Sequence, residues 1–231
     1  TNTGVYSNVT TNNMNITAAT AAMTGSLYRC VVSGICSPSA TSSIALLTVN
    51  TPPSISTQPS NVTVCANSNI SFTVGATGTS LTYQWQQDAG AGFVNLTNGG
   101  AVTGATSATL NIVSVTTAMN NYSYRCVING TCTPSVTTAN ALLTVNPMIT
   151  PSVSIAASAT AICSGTSVTF TATPTNGGAS PSYQWRRNGS PVGTNSTTYT
   201  TNTLLNGEVV TCEMTSNASC ITTSKVTGTG I

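Results

Sequence analysis

Tyr83-Gln84-Trp85-Gln86 and Tyr124-Arg125-Cys126-Val127-Ile128 are the stretches that decide the fold. In each, large apolar side chains alternate with polar ones. A β-strand sends successive side chains to opposite faces. Tyr83 and Trp85 therefore face one way, and Gln84 and Gln86 the other. Tyr124 and Cys126 form a second inward pair, and Leu110 and Ile112 a third. Outward from these pairs, short β-type runs cover 62–65, 70–75, 82–87, 108–113, 123–128 and 139–145. Turn residues separate them, among them Ala66-Asn67-Ser68-Asn69, Asn98-Gly99-Gly100 and Asn129-Gly130. Strands at about ten-residue spacing predict an antiparallel two-layer sandwich. No window carries sustained helical periodicity, and residues 116–121 predict at most one helical turn between strands.

The pattern recurs. Residues 2–50, moved forward by 96, fall on 98–146 without a gap and with nearly half the pairs identical. Tyr28-Arg29-Cys30-Val31 returns as Tyr124-Arg125-Cys126-Val127, and Ala45-Leu46-Leu47-Thr48-Val49-Asn50 as Ala141-Leu142-Leu143-Thr144-Val145-Asn146. A diverged copy follows, with Trp185 for Trp85 and Cys163 for Cys65. So long a period exceeds solenoid units and suits a string of whole small domains. The expected domains are 1–50, 51–146 and 147–231. The first matches only the C-terminal half of the second, so it predicts a truncated domain with one apolar face uncovered. Thr1 is therefore expected to be a cut inside a longer polypeptide; the alternative is that another chain donates the missing strands. Thr51-Pro52-Pro53 and Asn146-Pro147-Met148 read as short, stiff linkers, because proline cannot continue a ladder. Such linkers predict a rod of domains joined end to end.

Composition narrows the function classes. Only 3% of residues are charged, His is absent and the net charge is +2. That leaves no field to attract nucleic acid or anionic lipid. No apolar run approaches the roughly 18 residues of a membrane helix, so no membrane insertion is expected in this segment. Nucleophilic triads fail without His. The acidic residues are Asp88, Glu208 and Glu213; the last two lie near opposite ends of one short strand, a poor arrangement for paired-carboxylate hydrolysis. Calcium needs several clustered carboxylate or carbonyl oxygens, and an internal isopeptide bond has only Lys225 to draw on. No catalytic, cofactor-binding or metal residue is assigned, and the chain is not expected to be an enzyme. Asn-x-Ser/Thr occurs at about the frequency that chance gives in so Ser/Thr-rich a chain, so it carries no argument for glycosylation.

A resemblance now becomes specific. Tyr83-Gln84-Trp85 followed by Tyr124-Arg125-Cys126 resembles the strand C tryptophan and strand F Tyr-x-Cys of immunoglobulin-like domains. Tyr183-Gln184-Trp185-Arg186-Arg187-Asn188-Gly189 is similar to strand C entering a tight C–C′ hairpin, where Asn-Gly supplies the positive φ values the turn needs. The resemblance implies an all-β chain of tandem immunoglobulin-like sandwiches with Trp85, Tyr124 and Trp185 in their cores. The strand B cysteine is missing: its place is held by Val74 and by Phe170 or Ala172. More narrowly, Cys163-Ser164-Gly165-Thr166-Ser167-Val168-Thr169-Phe170, Tyr183-Gln184-Trp185 and Asn206-Gly207-Glu208-Val209-Val210-Thr211-Cys212 resemble repeats of giant surface adhesins of the Bacteroidota. These include gliding-motility adhesins exported by type IX secretion. The likeness implies an extracellular, cell-surface filament built of many such domains.

Eight cysteines without His argue against zinc and for disulfides made outside the cytoplasm. Each complete unit has three: Cys65, Cys126 and Cys132, then Cys163, Cys212 and Cys220; the fragment keeps Cys30 and Cys36. A three-residue F–G loop would set Cys126 opposite Cys132, and even spacing extends the pattern to Cys30–Cys36 and Cys212–Cys220. Cys65 and Cys163, in the A′–B turn, are then unpaired or bonded outside their own unit. The competing arrangement joins Cys65 to Cys126 and Cys163 to Cys212 across the sandwich.

The leading functional expectation is a structural stalk or filament segment of a long extracellular repeat adhesin, serving cell-surface adhesion or gliding. One rival is a glycan- or protein-binding module using loops such as 88–92 and 98–103, with Phe93 its main aromatic. The other is a subunit of a self-assembling extracellular fibre. The partners implied are neighbouring repeats of the same chain, surface glycans, or like chains in a fibre; no cofactor is implied.

Overall fold

The computed structural model describes residues 3–231. Thr1 and Asn2, the first two residues of the expected fragment, lie outside the described residues. The architecture is all-β, with two single-turn 3-10 segments at Ala21–Met23 and Thr117–Met119.

The N-terminal part carries six two-residue strands: β1 (Tyr6–Ser7), β2 (Asn15–Ile16), β3 (Leu27–Tyr28), β4 (Val31–Val32), β5 (Ala40–Thr41) and β6 (Ala45–Leu46). The middle sandwich begins with β7 (Ser54–Thr57), β8 (Val62–Cys65), β9 (Ile70–Thr73), β10 (Gly75–Thr77), β11 (Thr82–Asp88) and β12 (Phe93–Asn95). It continues with β13 (Val102–Thr103), β14 (Thr109–Ile112), β15 (Ser123–Asn129), β16 (Val136–Thr137) and β17 (Ala141–Asn146). The C-terminal sandwich comprises β18 (Ser152–Ala157), β19 (Val168–Thr175), β20 (Ser182–Arg187), β21 (Ser190–Val192), β22 (Thr198–Thr201), β23 (Val210–Thr215) and β24 (Lys225–Thr227).

In the middle sandwich one sheet runs β12-β11-β15-β17-β8, and the facing sheet runs β13-β14-β9. β11 and β15 are strands C and F. They pair antiparallel over seven residues, with Trp85 opposite Cys126. β8 joins the edge strand β17 in parallel, Leu143 to Val62 through Asn146 to Cys65. This departs from the wholly antiparallel expectation, because a strand A′ that crosses to the sheet of strand G runs alongside it. The C-terminal sandwich repeats the plan with sheets β21-β20-β23-β24 and β18-β19-β22.

The N-terminal strands keep the register of their copies. Val31↔Thr41 and Val32↔Ala40 match Val127↔Thr137 and Ile128↔Val136 after a shift of 96 residues. Leu27↔Leu46 likewise matches Ser123↔Leu142. Their burial differs. Ile128 and Ala141 are fully buried, whereas their counterparts Val32 (62% exposed) and Ala45 lie open to solvent. β9 of the facing sheet and β11, which flanks β15 in its own sheet, have no counterpart among residues 3–50.

Packing gathers the chain into two compact units. The first runs through Asn61 and takes in Ser71–Ile112 and Tyr122–Leu142; the second comprises Val62–Ile70, Val113–Asn121 and Leu143–Ile231. The second unit thus combines one end of the middle sandwich with the whole C-terminal sandwich. In the first unit, Trp85, Tyr124, Leu110 and Cys126 are fully buried. Phe72 stacks on Tyr124 at 4.8 Å between centroids, and the Trp85 indole N–H donates to the Ser107 carbonyl at 2.8 Å. In the second unit, Trp185 is fully buried among Phe170, Val210, Cys212 and Met214. Its indole N–H donates to the Ser196 carbonyl at 2.9 Å. A buried indole needs such a partner, since an unpaired donor costs about 1–3 kcal/mol.

Candidate functional site

The chemistry the sequence places in its cysteines becomes a different set of bonds in the fold. Cys65 is joined to Cys220, 155 residues away, with Cα atoms 5.2 Å apart. Both lie in the second compact unit. Cys65 ends β8 and opens a tight turn closed by the Ser68 N–H donating to the Cys65 carbonyl at 3.2 Å. Cys220 sits in the loop between strands F and G of the C-terminal sandwich. That loop is anchored to the linker: the Ile149 N–H donates to the Cys220 carbonyl at 2.8 Å, and the Thr222 N–H to the Ile149 carbonyl at 2.9 Å. In a chain-entropy account, closing so long a loop stabilises the folded state by about 5 kcal/mol.

The expected pairs Cys30–Cys36, Cys126–Cys132 and Cys212–Cys220 are corrected by this geometry. Cys30, Cys36, Cys126, Cys132, Cys163 and Cys212 all carry free thiols. The register shows why. The residue facing Cys126 on strand G is Thr138: its N–H donates to the Cys126 carbonyl at 3.0 Å, and its hydroxyl accepts from the Cys126 N–H at 2.9 Å. Cys132 lies in the loop beyond Asn129, the last residue of β15. Cys30 faces Ser42 in the same way, and the Gly228 N–H donates to the Cys212 carbonyl at 3.0 Å. The F–G loops are longer than the three-residue loop that spacing suggested, and they carry the second cysteine away from the first. The cross-sandwich alternatives Cys65–Cys126 and Cys163–Cys212 are absent too. Cys65, expected to be unpaired or bonded outside its unit, is bonded to the next repeat; Cys163 is free and exposed.

Cys126 and Cys212 are chemically quiet. Burial pushes the Cys126 thiol up to about 11 against a hydrogen bond from Gln84 that lowers it. Burial, aided by the Glu213 carboxylate, pushes Cys212 up to about 11. The thiolate is the reactive form, so thiols held protonated exchange slowly.

The acidic residues are all engaged. The Gly90 and Gly92 N–H groups donate to Asp88 Oδ1 at 2.7 and 2.9 Å. Glu208 lies 3.6 Å from Arg187 and accepts from the Leu205 N–H at 2.9 Å. Glu213 meets Lys225 at 3.2 Å and Arg186 at 4.0 Å. No group of three metal-binding side chains occurs among the described residues. Phe93, the candidate loop aromatic, lies beneath the Arg125 guanidinium, 3.8 Å from its ring centroid. The Arg125 Nε donates to Gln86 Oε1 at 2.8 Å, and the Gln86 amide donates to Asn95 at 2.8 Å. Sequence spacing gave no hint of this cross-strand cluster, because residues 39 apart meet only through the β11–β15 pairing.

One groove of about 620 Å³ opens at the far end of the C-terminal sandwich, lined among others by Ile162, Cys163, Leu204, Leu205, Glu208 and Ile231. No helix among the described residues is long and apolar enough to cross a membrane.

A family model described as an immunoglobulin domain matches residues 52–129. No curated protein matches the chain. Among solved structures, the chain is similar to a three-Ig-domain titin fragment in an E-to-A mutated variant. The two share 17% identity over 77% of this chain and 64% of that one, with a TM-score of 0.45. It is also similar to an I-band fragment of titin (11% identity, 94% and 77% covered, TM-score 0.47). A third likeness is to the four N-terminal Ig domains of a Dscam1 isoform (14% identity, 97% and 58% covered, TM-score 0.38). The chain therefore spans about two thirds or less of the titin variant and the Dscam1 chain.

Proposed function

We propose that this chain is a load-bearing stalk segment of a long extracellular repeat adhesin, in which successive immunoglobulin-like sandwiches hold a functional region away from a cell surface. Its domains in this reading are 1–50, 51–146 and 147–231. The observation that supports it is the Cys65–Cys220 bond, which ties the A′–B turn of one repeat to the F–G loop of the next. A bond spanning two repeats resists extension at the linker between them. The low charge and fully engaged carboxylates suit a spacer better than a catalyst. Adhesion, surface location and a filamentous parent are parts of the same proposal; gliding and type IX export rest on the sequence resemblance alone.

Force spectroscopy on the full chain, pulled from its two ends, tests the reading. The bond takes 155 residues of sequence separation out of the extensible length. At about 3.3–3.6 Å per residue, the oxidised chain should extend roughly 500 Å less than the reduced one. Equal contour lengths in both states would remove the mechanical reading. The Arg125–Phe93–Gln86 cluster supports a second reading, a glycan- or protein-binding face. A glycan array whose signal vanished with Arg125→Ala would favour it.

A further inference from the structure

We propose that Cys163 is the second socket of a repeating staple and takes as its partner the F–G-loop cysteine of a further immunoglobulin-like sandwich adjoining its C-terminal side. The inference deepens the stalk reading and rests on it.

Cys163 occupies the place of Cys65. Each stands seven residues before a core phenylalanine, Phe72 and Phe170. Each opens the same turn: the Thr166 N–H donates to the Cys163 carbonyl at 3.1 Å, as Ser68 does to Cys65 at 3.2 Å. The third residue of both turns is left-handed, Asn67 at φ +68 and Gly165 at φ +83. In the copy where both halves of the bond are present, this turn cysteine is joined to an F–G-loop cysteine. Cys132 holds the F–G-loop position in the middle sandwich.

The surface around Cys163 has the form of an unfilled socket. In the middle sandwich the segments at this end, Val62–Ile70 and Val113–Asn121, belong to one compact unit with the C-terminal sandwich. Their counterparts beside Cys163 line the 620 Å³ groove. The turn that ends on Asn121 at φ +67 corresponds to the one that ends on Gly207 at φ +81. There Leu205 is 72% exposed and Ile162 37%. The rule of the observed bond says which loop meets this surface: an F–G loop, which brings Ile221 next to its cysteine.

Bond formation removes two electrons and two protons from two thiols, and the oxidant is a small-molecule disulfide. The Cys163 thiolate attacks one sulfur of that disulfide and expels a thiolate. The F–G-loop thiolate then attacks the Cys163 sulfur and expels the second. Two protein thiols become one disulfide, and the small disulfide becomes two thiols.

The test extends the full chain by a second copy of residues 147–231 after Ile231. The protein is refolded with oxidised and reduced glutathione, alkylated with iodoacetamide and digested with trypsin without reduction. Peptide 126–186 should be linked to a copy of peptide 188–225, and Cys163→Ser should abolish that link while 30–125 stays linked to 188–225. In the unextended chain Cys163 should be alkylated. Alkylation of Cys163 in the extended chain, with the 30–125 link intact, would overturn the inference and leave the stalk reading standing. Loss of both links would overturn both.

Discussion

Trp85 and Trp185 show how single residues hold this fold. Each is fully buried, packs against a phenylalanine ring at 6.3 Å, and spends its one donor on a backbone carbonyl. Trp85→Ala or Trp185→Ala should cost about 3–5 kcal/mol, a large part of the 5–15 kcal/mol of a typical domain. Urea midpoints would read the loss; a change under 1 kcal/mol would deny them a central place. The buried thiols give a second prediction. Cys126 and Cys212 sit near 11 in the folded chain, above the ordinary value of 9.0. Between those values the unfolded chain sheds thiol protons that the folded chain keeps, so the unfolded state binds fewer protons and stability falls as pH rises. Urea midpoints should drop from pH 8.5 to 10.5, and the drop should shrink in a Cys126→Ala/Cys212→Ala variant. At pH 8 iodoacetamide should label Cys30, Cys36 and Cys163 in the folded protein but spare Cys126 and Cys212.

Strands and turns were legible in the sequence wherever alternation met a turn signal. The run 62–65 is the observed β8, and the helical turn expected within 116–121 is the 3-10 segment Thr117–Met119. Asn188-Gly189 forms the anticipated two-residue hairpin, with φ +47 and +81 and Arg187 paired to Ser190. Gly189→Val tests that element cleanly, since an added Cβ there meets nothing within 4 Å. The whole cost is backbone strain, about 1–2 kcal/mol, and an unchanged urea midpoint would contradict the turn. The short strands β12, β13 and β16 were not legible, because two or three residues carry no period. The parallel partnership of β8 and β17 was hidden for another reason: alternation fixes which face a residue takes but not which neighbour its strand finds. The cysteine pairing failed on loop length. Parity puts two residues on one face, yet only the register, with Thr138 opposite Cys126, decides what meets what.

At the scale of the whole molecule, the repeat was plain from sequence, and the bond across it was not. Cys65 and Cys220 belong to different copies, 155 residues apart, and no local spacing rule links them. Their bond makes the chain more than a string of separate sandwiches. The five basic residues give trypsin well-placed cuts at Arg29, Arg125, Arg186, Arg187 and Lys225. Cys65 then lies on peptide 30–125, and Cys220 lies with Cys212 on peptide 188–225. Mass spectrometry of the oxidised, unreduced digest should find these two peptides joined and separated by a reductant. Peptide 188–225 alone, closed on itself by a Cys212–Cys220 bond, or peptide 30–125 joined instead to 126–186, would contradict the account.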